Sequence, residues 1–489
     1  MIYLDLSCLL ASDVVVFARQ SGELCHFQEA LMDNHQPYIR RTWVCGFAGL
    51  LALVSLGANA GGFALIEQSV SSMGTAYANG SSGIDDASTV FFNPASMTRL
   101  EGKNVTGGVH IIRSDVKFSG EGTYIDSLPF IGGTQIQGKQ HDDIGLTKAV
   151  PHGAYSQQYN DQFWFGVSVN GPFGLKTKYD DDWVGRYNAI ESDLTTININ
   201  PSLAYKVNQH VSVGAGVSAL YADGKLTQAV DGGLVATGLG IPLSPSWVPG
   251  TPNYDGTAKL TGNDWGYGFN LGVLLQPTDK TRIGIAYRSK VDLTIKGNVE
   301  VSDLPPPFLS TRNGKQNAKL DLTLPDSLSL SGLQQLTPQW TLMADITWTN
   351  WSKLNSLDID IEDGSQSVTP LQWEDTLRYA LGVTYKYNDT WLFRTGVAFD
   401  ETPIPNKNLR TPRIPGENRT WLSLGANYKF DKQLSFDLGY AHLFVDDPKI
   451  DSTDAYDPST GQTSGFHKVT GKYDASVDIL SAQVNWRFN

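Results

Sequence analysis

The stretch QLTPQWTLMADITW, residues 335–348, carries the pattern that decides the fold. A short polar turn is followed by a run in which every second residue is apolar, while Thr341 and Asp345 fall on the other face. A period of two places alternate side chains on opposite faces of a β-strand. Because charged residues occupy one face and tryptophans stand at both ends of the run, the pattern indicates a strand whose apolar face meets lipid.

The same unit of turn and strand recurs along the chain. Six polar turns join twelve alternating runs, and one further run at each end makes fourteen. Much longer connections separate the hairpins, which is the asymmetry of an outer-membrane barrel. We therefore predict an all-β membrane protein, a 14-stranded antiparallel transmembrane β-barrel over residues 103–489; a soluble sandwich is the alternative. The turns lie at 157–162, 206–210, 276–280, 335–339, 386–390 and 430–433.

Residues 32–60 predict an export signal. Arg40 and Arg41 precede an apolar run that is too short to span a bilayer, and Ala58-Asn59-Ala60 matches a small-residue cleavage site. A buried core helix is the alternative. We expect residues 32–60 to be a signal peptide and residues 1–31 to be a misassigned upstream extension.

Cysteine placement and net charge limit the partners of the exported chain. All three cysteines, Cys8, Cys25 and Cys45, precede residue 61, so neither disulfides nor a cysteine-ligated metal is expected beyond it. The formal net charge of −13 argues against a nucleic-acid partner. No cofactor or metal is predicted.

Residues 61–102 break the alternation before the first predicted strand. They are rich in glycine and serine and long enough for a few helical turns. A 14-stranded barrel has room for a plug, and the apolar residues of this segment need burial. We therefore predict that it forms a small N-terminal helical hatch inside the barrel; a flexible tail is the alternative. Its apolar residues include Phe63, Leu65, Ile66, Phe91 and Phe92.

A set of short motifs makes the chain resemble the FadL family of outer-membrane transporters of long-chain fatty acids and other hydrophobic compounds. Each motif is weak alone, but together they keep one order and spacing from the hatch to the C-terminus. They include Phe63, Glu67, Ala76-Tyr77, Asn93-Pro94-Ala95, Phe173-Gly174-Leu175, Tyr287-Arg288-Ser289, Trp351-Ser352, Arg378-x-Ala380-Leu381-Gly382 and Phe393-Arg394 through Asp400. The resemblance implies a plugged 14-stranded barrel.

The run from Phe163 to Val169 is a good strand that then breaks at Asn170, Gly171, Pro172 and Phe173. Lipid offers no partner for an unpaired backbone group, so a break in a barrel wall must face water or other protein. We expect an opening in the wall there, and an ordinary strand end is the alternative.

The resemblance implies the same opening. In the family, the third strand is kinked and leaves a lateral hole through which an apolar substrate enters the membrane. Asp400 then matches an acidic residue near the kink. We expect a shift of the hatch around Asn93, Pro94 and Ala95 to connect the interior with that hole.

Two long connections are unusually apolar for the outside of a cell. Residues 226–262 contain Leu234, Leu239 and Trp247, and residues 298–316 contain Phe308. Apolar patches of this kind usually bind something, and the resemblance implies that the corresponding loops catch the ligand first. The alternative is that the two loops simply pack on each other.

Arginines on the polar strand faces are candidates for holding a carboxylate. Arg288, Arg378 and Arg394 are predicted to point into the lumen, and Arg419 follows a loop. A fatty acid needs an apolar slot for its tail and a cation for its head. With Phe63 of the hatch, these residues are the predicted ligand contacts, although each arginine could instead pair with an acidic residue of the wall.

Two departures from the family's fatty acid transporters leave the cargo open. Asp223 and a position near Thr369 stand where basic residues are expected, so uncharged cargo such as aromatic hydrocarbons or alkanes is the alternative. We expect a passive, monomeric, non-enzymatic channel in the outer membrane, inserted by the β-barrel assembly machinery and surrounded by outer-membrane lipid. No G-x-S-x-G motif points to an enzyme; an open porin and an adhesive barrel are the other rival classes.

Overall fold

The computed structural model describes residues 62–126, 128, 131–241, 248–306, 309–454, 456–457, 462–463 and 465–488. The predicted upstream extension and the predicted signal peptide therefore lie outside the described residues. Among the described residues, no helix has the length and apolar character needed to cross a membrane.

Fourteen antiparallel strands within the described part of the chain form one closed barrel, as the sequence predicted. Closure comes from the first and last strands, which pair from Lys103 with Phe488 to Tyr124 with His467. The strands are Lys103–Tyr124 (β1), Leu146–Gln158 (β2), Phe163–Asn170 and Gly174–Lys178 (β3), Glu191–Lys206 (β4), Val211–Val230 (β5), Gly256–Thr278 (β6), Thr281–Arg288 and Val291–Ser302 (β7), Gly314–Leu324 and Ser327–Gln335 (β8), Trp340–Thr349 (β9), Thr376–Lys386 (β10), Trp391–Asp400 (β11), Arg419–Lys429 (β12), Leu434–Val445 (β13) and His467–Phe488 (β14).

The strands are longer than a membrane requires. β1 and β14 have 22 residues each and β6 has 23, whereas about 9–11 tilted residues cross a bilayer. Parts of the connections predicted as loops are therefore strand, since ladders continue above the membrane where water can also satisfy the backbone. Short strands above the barrel are His141–Asp143, Ser356–Ile361, Gln366–Pro370, Lys449–Thr453, Tyr456–Asp457 and Gln462–Thr463.

The outer surface is apolar and the lumen polar, as the alternation predicts. Leu203, Leu438 and Leu480 are each more than 60% exposed, whereas Asn200 and Ser481 are buried inside. Large aromatic residues beside the short turns form a belt typical of the interface between membrane and water. They include Trp340, Tyr387, Trp391, Phe430 and Trp486.

The segment before β1 folds inside the barrel. It contains the short helices Val70–Met73 (α1) and Thr89–Phe92 (α2) and the 3₁₀ helix Pro94–Arg99. Ser69 caps α1 by accepting a hydrogen bond from the Ser72 amide at 3.2 Å. Most of the segment is buried, because its small residues fit closely against the wall.

Wall glycines allow that fit. A Cβ on Gly284 would lie 1.8 Å from the Ser81 carbonyl oxygen, and a Cβ on Gly396 would lie 2.3 Å from the Thr75 carbonyl carbon. No side chain fits at either distance, so the hatch backbone lies directly on the strand backbone. The helix Gly232–Gly238 (α3) and the 3₁₀ helices Pro252–Tyr254, Leu309–Arg312 and Trp351–Lys353, which lie in the connections between strands, complete the elements.

Candidate functional site

A cavity of about 180 Å³ lies inside the barrel between the hatch and the wall. One side is apolar and includes Ile66, Phe92 and Trp351. The other side carries charged residues from the hatch and from several strands. These charged residues are Glu67, Arg288, Asp345, Arg378, Asp400 and Arg419. An apolar slot beside a few fixed polar groups is the usual form of a small-molecule site.

Arg288, Arg378 and Arg419 line this cavity, whereas Arg394 does not. Arg288 donates from Nη2 to the Phe91 carbonyl oxygen at 2.6 Å, and its guanidinium lies 4.1 Å from the centroid of that phenyl ring. Arg419 donates from Nη2 to the Gly62 carbonyl oxygen at 2.9 Å. Both arginines therefore hold the hatch as well as facing the cavity.

Glu67 faces the same cavity from the hatch, outside the membrane-spanning strands. Its side chain is buried, and this burial raises its pKa to about 7. The neutral carboxyl group is therefore well populated near neutral pH. Sequence reasoning used Glu67 as a family motif residue but assigned it no contact with ligand.

Arg394 forms a buried ion pair beneath the hatch. Its Nη1 lies 2.5 Å from Asp437 Oδ1, and Asp437 also accepts a hydrogen bond from Asn485 at 2.6 Å. The arginine packs against α1, since a Cβ on Gly74 would lie 3.1 Å from the Arg394 Cβ. The role predicted for Arg394 as a ligand contact thus finds no support in the geometry, because a wall carboxylate occupies it.

We expect Asp437→Asn to destabilise the barrel by about 3–5 kcal/mol, because it leaves the buried Arg394 charge uncompensated. The measurement is the temperature at which the protein loses its folded mobility on electrophoresis. Asp389→Asn is the matched control, since Asp389 is 97% exposed in its pair with Lys386 and such pairs contribute at most about 1 kcal/mol. Equal shifts in the two variants would contradict the prediction.

Phe63 closes the outer side of the central cavity. Its ring lies 6.1 Å from Phe173, 5.1 Å from Trp351 and 5.8 Å from Trp373, measured between centroids. On its other side lies a small apolar cavity of about 60 Å³. That outer cavity is lined by residues such as Leu226, Leu260, Ile295, Leu320 and Ile414. The aromatic cluster therefore lies between the central cavity and the outer apolar cavity.

The predicted break in β3 is present, and the hatch supplies its missing hydrogen bonds. Leu65 donates its amide to the Pro172 carbonyl oxygen at 2.8 Å, and Gly174 donates to the Phe63 carbonyl oxygen at 3.0 Å. Gln68 donates from Nε2 to the Gly171 carbonyl oxygen at 2.8 Å. The chain leaves the wall here because protein inside the barrel takes over as the partner.

A gap separates β2 from the outer half of β3. Residues 153–158 of β2 pair with β3, whereas residues 146–152 pair with β1 alone among the described residues. If the register continued, Pro151 would face Gly171, and neither Pro151 nor Pro172 has an amide hydrogen to donate. A cavity of about 480 Å³ occupies this gap. Sequence reasoning found Pro172 but missed Pro151, which lies in an otherwise regular strand.

The gap and the central cavity share a thin partition. Leu65 and Phe173 line both spaces, and Asn170 and Gly171 line the gap. Asp400 lines the central cavity together with Pro172 and Phe173. The structure thus brings the predicted residues of the break and Asp400 to one region, on either side of this partition.

Asn93, Pro94 and Ala95 lie elsewhere. Asn93 donates from Nδ2 to the Val273 carbonyl oxygen of β6 at 3.1 Å, and its Oδ1 accepts from the Ala95 amide at 3.0 Å. A Cβ on Gly214 of β5 would lie 2.4 Å from the Ala95 nitrogen. This segment thus anchors the 3₁₀ helix on β5 and β6, whereas residues 63–68 contact the break. The shift of the hatch around residues 93–95 stays a prediction.

Of the predicted capture residues, Leu234 and Leu239 are described, whereas Trp247 and Phe308 lie outside the described residues. Leu234 packs on a loop cluster that includes Tyr124 and Tyr187, and Leu239 is 43% exposed at the end of α3. Asp231 caps α3 by accepting from the Leu234 amide at 3.0 Å. The structure therefore supports packing for Leu234 and leaves Leu239 accessible.

Contacts between His467 and two loop carboxylates hold this region, and the sequence analysis assigned none of these residues a role. His467 at the outer end of β14 lies 3.4 Å from Asp231 Oδ2 and 2.7 Å from Asp454 Oδ2. Such contacts join distant loops and leave no local sequence signal. In the part of the chain that the structure describes, no three His, Cys, Asp or Glu side chains could hold a metal ion.

Comparison with known proteins gives consistent similarities. A family model described as "Outer membrane protein transport protein (OMPP1/FadL/TodX)" matches residues 51–488. The chain is 34% identical over 420 residues to a long-chain fatty acid transport protein of Escherichia coli (strain K12), covering 82% of this chain and 91% of that protein. It is also 34% identical over 416 residues to outer membrane protein P1 of Haemophilus influenzae, covering 81% and 88%. A solved structure of a Pseudomonas aeruginosa FadL homologue matches with a TM-score of 0.77 and 27% identity, covering 88% of this chain and 100% of that one.

Proposed function

Because the chain belongs to the OMPP1/FadL/TodX family of outer membrane transport proteins, we propose that it carries long-chain fatty acids inward and releases them sideways into the outer membrane. The ligand is captured at the outer loops, passes to the central cavity and leaves through the gap beside β3. The process is passive and needs no cofactor.

The observation that carries this proposal is the gap between β2 and β3. It lies in the wall of a barrel whose outer face is apolar, and only Leu65, Phe173 and their neighbours separate it from the central cavity. An unpaired stretch of wall in lipid costs free energy, so we expect the gap to have a function. A lateral exit gives it one, because an apolar tail then never enters the aqueous periplasm.

Capture from outside is supported by the apolar surfaces above Phe63. Leu239 is accessible, the outer cavity beneath the loops is almost entirely apolar, and Trp247 and Phe308 are proposed to add to this surface. Burying a hydrocarbon tail contributes about 25 cal/mol per Å² of apolar area. The spatial order of these surfaces, from the outer loops through Phe63 to the central cavity, supports an inward route.

Passage requires the hatch to move. The central cavity of about 180 Å³ is smaller than the roughly 300 Å³ at which small-molecule pockets begin. The segment from Phe63 to Gln68 contacts both the aromatic cluster and the break, so a displacement of this segment would enlarge the cavity and open the partition together. We propose this segment, rather than residues 93–95, as the moving part.

Uptake by cells that lack their own fatty acid transporter tests the cargo. Cells expressing the chain are given labelled oleate or labelled toluene, and cells with the empty vector are the control. We expect oleate uptake well above the control. Toluene uptake without oleate uptake would assign uncharged cargo and contradict the fatty acid proposal, and uptake of neither compound would contradict transport of both classes.

A further inference from the structure

Buried polar groups without partners converge on one side of the central cavity. The Tyr77 hydroxyl, Arg378 Nε and Nη1, Trp421 Nε1 and Glu67 Oε2 have no hydrogen-bond partner among the described residues. All four side chains are more than nine-tenths buried, and all four residues line the cavity. A buried polar group that lacks a hydrogen-bond partner destabilises the fold. Four side chains with such groups at one cavity call for a common explanation.

The three donors form a compact group. The Arg378 guanidinium carbon lies 5.8 Å from the centroid of the Tyr77 ring and 5.3 Å from that of the Trp421 ring. The two rings are 6.2 Å apart and nearly perpendicular. Arg378 Nη2 donates to the Ala76 carbonyl oxygen at 2.9 Å, which holds the guanidinium against the hatch. The remaining donors come from the hatch, β10 and β12, and so depend on the assembled fold.

Arg378 differs from Arg288 and Arg394 in keeping two buried nitrogens, Nε and Nη1, without a hydrogen-bond partner among the described residues. Arg394 pairs with Asp437, and Arg288 is held by the ring and carbonyl oxygen of Phe91. Within the described residues, no carboxylate lies at ion-pair distance from Arg378. The Asp345 carboxylate, which lines the same cavity, accepts hydrogen bonds from Ser329 and Thr347 at 2.7 Å each. Arg378 is thus a buried cation that has, among the described residues, no ion-pair partner and two unpartnered donor nitrogens.

A carboxylate is the ligand that these groups fit. It is an acceptor with two oxygens, and hydrogen bonds from a charged donor are stronger than neutral ones. A hydrocarbon would leave every donor unsatisfied. Neutral Glu67 adds a hydroxyl donor, because burial raises its pKa to about 7. Ile66, Phe92 and Trp351 supply an apolar wall for the adjoining tail.

We propose that Tyr77, Arg378 and Trp421 form a carboxylate subsite in the central cavity, which selects carboxylic acid amphiphiles over uncharged hydrocarbons. The inference rests on the proposed transport function and names the chemical class that the site selects. The subsite is built from residues other than Asp223 and Thr369, so the loss of basic residues at those positions does not remove carboxylate recognition.

Binding of labelled oleate and labelled methyl oleate to the purified full-length exported chain in lipid nanodiscs tests the subsite. The two ligands share a tail and differ in the charged head. We expect Arg378→Met to weaken oleate binding by roughly tenfold or more and Tyr77→Phe by roughly fivefold. Methyl oleate binding should change less than about twofold in either variant.

Two variants serve as matched controls. Arg282→Met removes an arginine that does not line the cavity and lies 3.1 Å from Asp85, and Tyr287→Phe removes a hydroxyl that donates to Asp326 Oδ2 at 3.3 Å. Neither should change the preference for oleate over methyl oleate. If Arg378→Met does not fold, Tyr77→Phe and Arg378→Lys decide the question, because both keep the volume of the side chain nearly unchanged.

The possible results separate the subsite from the transport function. Unchanged oleate binding in the Arg378 and Tyr77 variants, or equal weakening of oleate and methyl oleate, would overturn the subsite while leaving transport intact. An equal loss of preference in Arg282→Met would also overturn it. If the unaltered protein binds neither ligand, the proposed function itself fails.

Discussion

Oleate uptake is expected to fall at least about tenfold when the gap beside β3 is closed, because a complete ladder leaves no lateral exit in the wall. The closing variant replaces residues 170–173 with Thr-Val-Thr-Val and carries Pro151→Val, since Pro151 would otherwise leave the new ladder incomplete. Uptake of labelled oleate is measured in cells that lack their own transporter. Electrophoretic mobility before and after heating confirms that the barrel is folded.

A second variant guards against misfolding of the first. Ala149→Trp places a large ring at a residue that lines the gap and leaves the hatch contacts of the break in place. Gly332→Trp is its control, because a Cβ there meets nothing within 4 Å and the residue lies on β8. Normal uptake in folded protein with the gap closed or filled would mean that the break is only a strand irregularity, and lateral release would be wrong.

Deleting the hatch, residues 62–100, is expected to raise ion conductance at least about tenfold, because the lumen of a 14-stranded barrel is too wide for its own side chains to fill. Single-channel recording in planar bilayers measures the change. Cells carrying the variant should also become sensitive to large antibiotics that the intact outer membrane excludes.

The control for this deletion removes the outer hairpin, residues 356–370, and should leave conductance low. If the deletion variant does not fold, Gly284→Trp serves instead, since the 1.8 Å distance to the Ser81 carbonyl oxygen forces the hatch away from the wall. Gly332→Trp is again the matched control. A folded barrel without its hatch that conducts no more than the intact protein would show that the hatch is not the plug.

The barrel could be predicted because its signal is local and repeated. The run from Trp340 to Trp348 alternates strictly, and the six short turns count the hairpins. Because each strand of the barrel has an apolar face toward lipid, each strand can be recognised from the alternation of its own residues. The upper parts of the strands were missed, because water above the membrane imposes no such alternation.

The candidate site was only partly predictable. The break at Gly171 and Pro172 was visible because glycine and proline disturb a strand in any context. The polar faces of β7 and β10 also placed Arg288 and Arg378 in the lumen. The sequence did not distinguish the partners of the three arginines. Phe91 holds Arg288, Asp437 pairs with Arg394, and Arg378 keeps unpartnered donors, because of contacts between residues far apart in the chain.

The sequence by itself determined the class of protein, the number of strands and the position of the broken strand, because alternation, turns and proline act over a few residues. Only the tertiary structure decided that Pro151 faces the break, that residues 63–68 rather than 93–95 satisfy it, and that Tyr77, Arg378 and Trp421 meet at one cavity. These outcomes depend on how the barrel closes and how the hatch lies within it. Closure of the barrel brings together side chains from distant parts of the chain, and no local sequence pattern predicts their contacts.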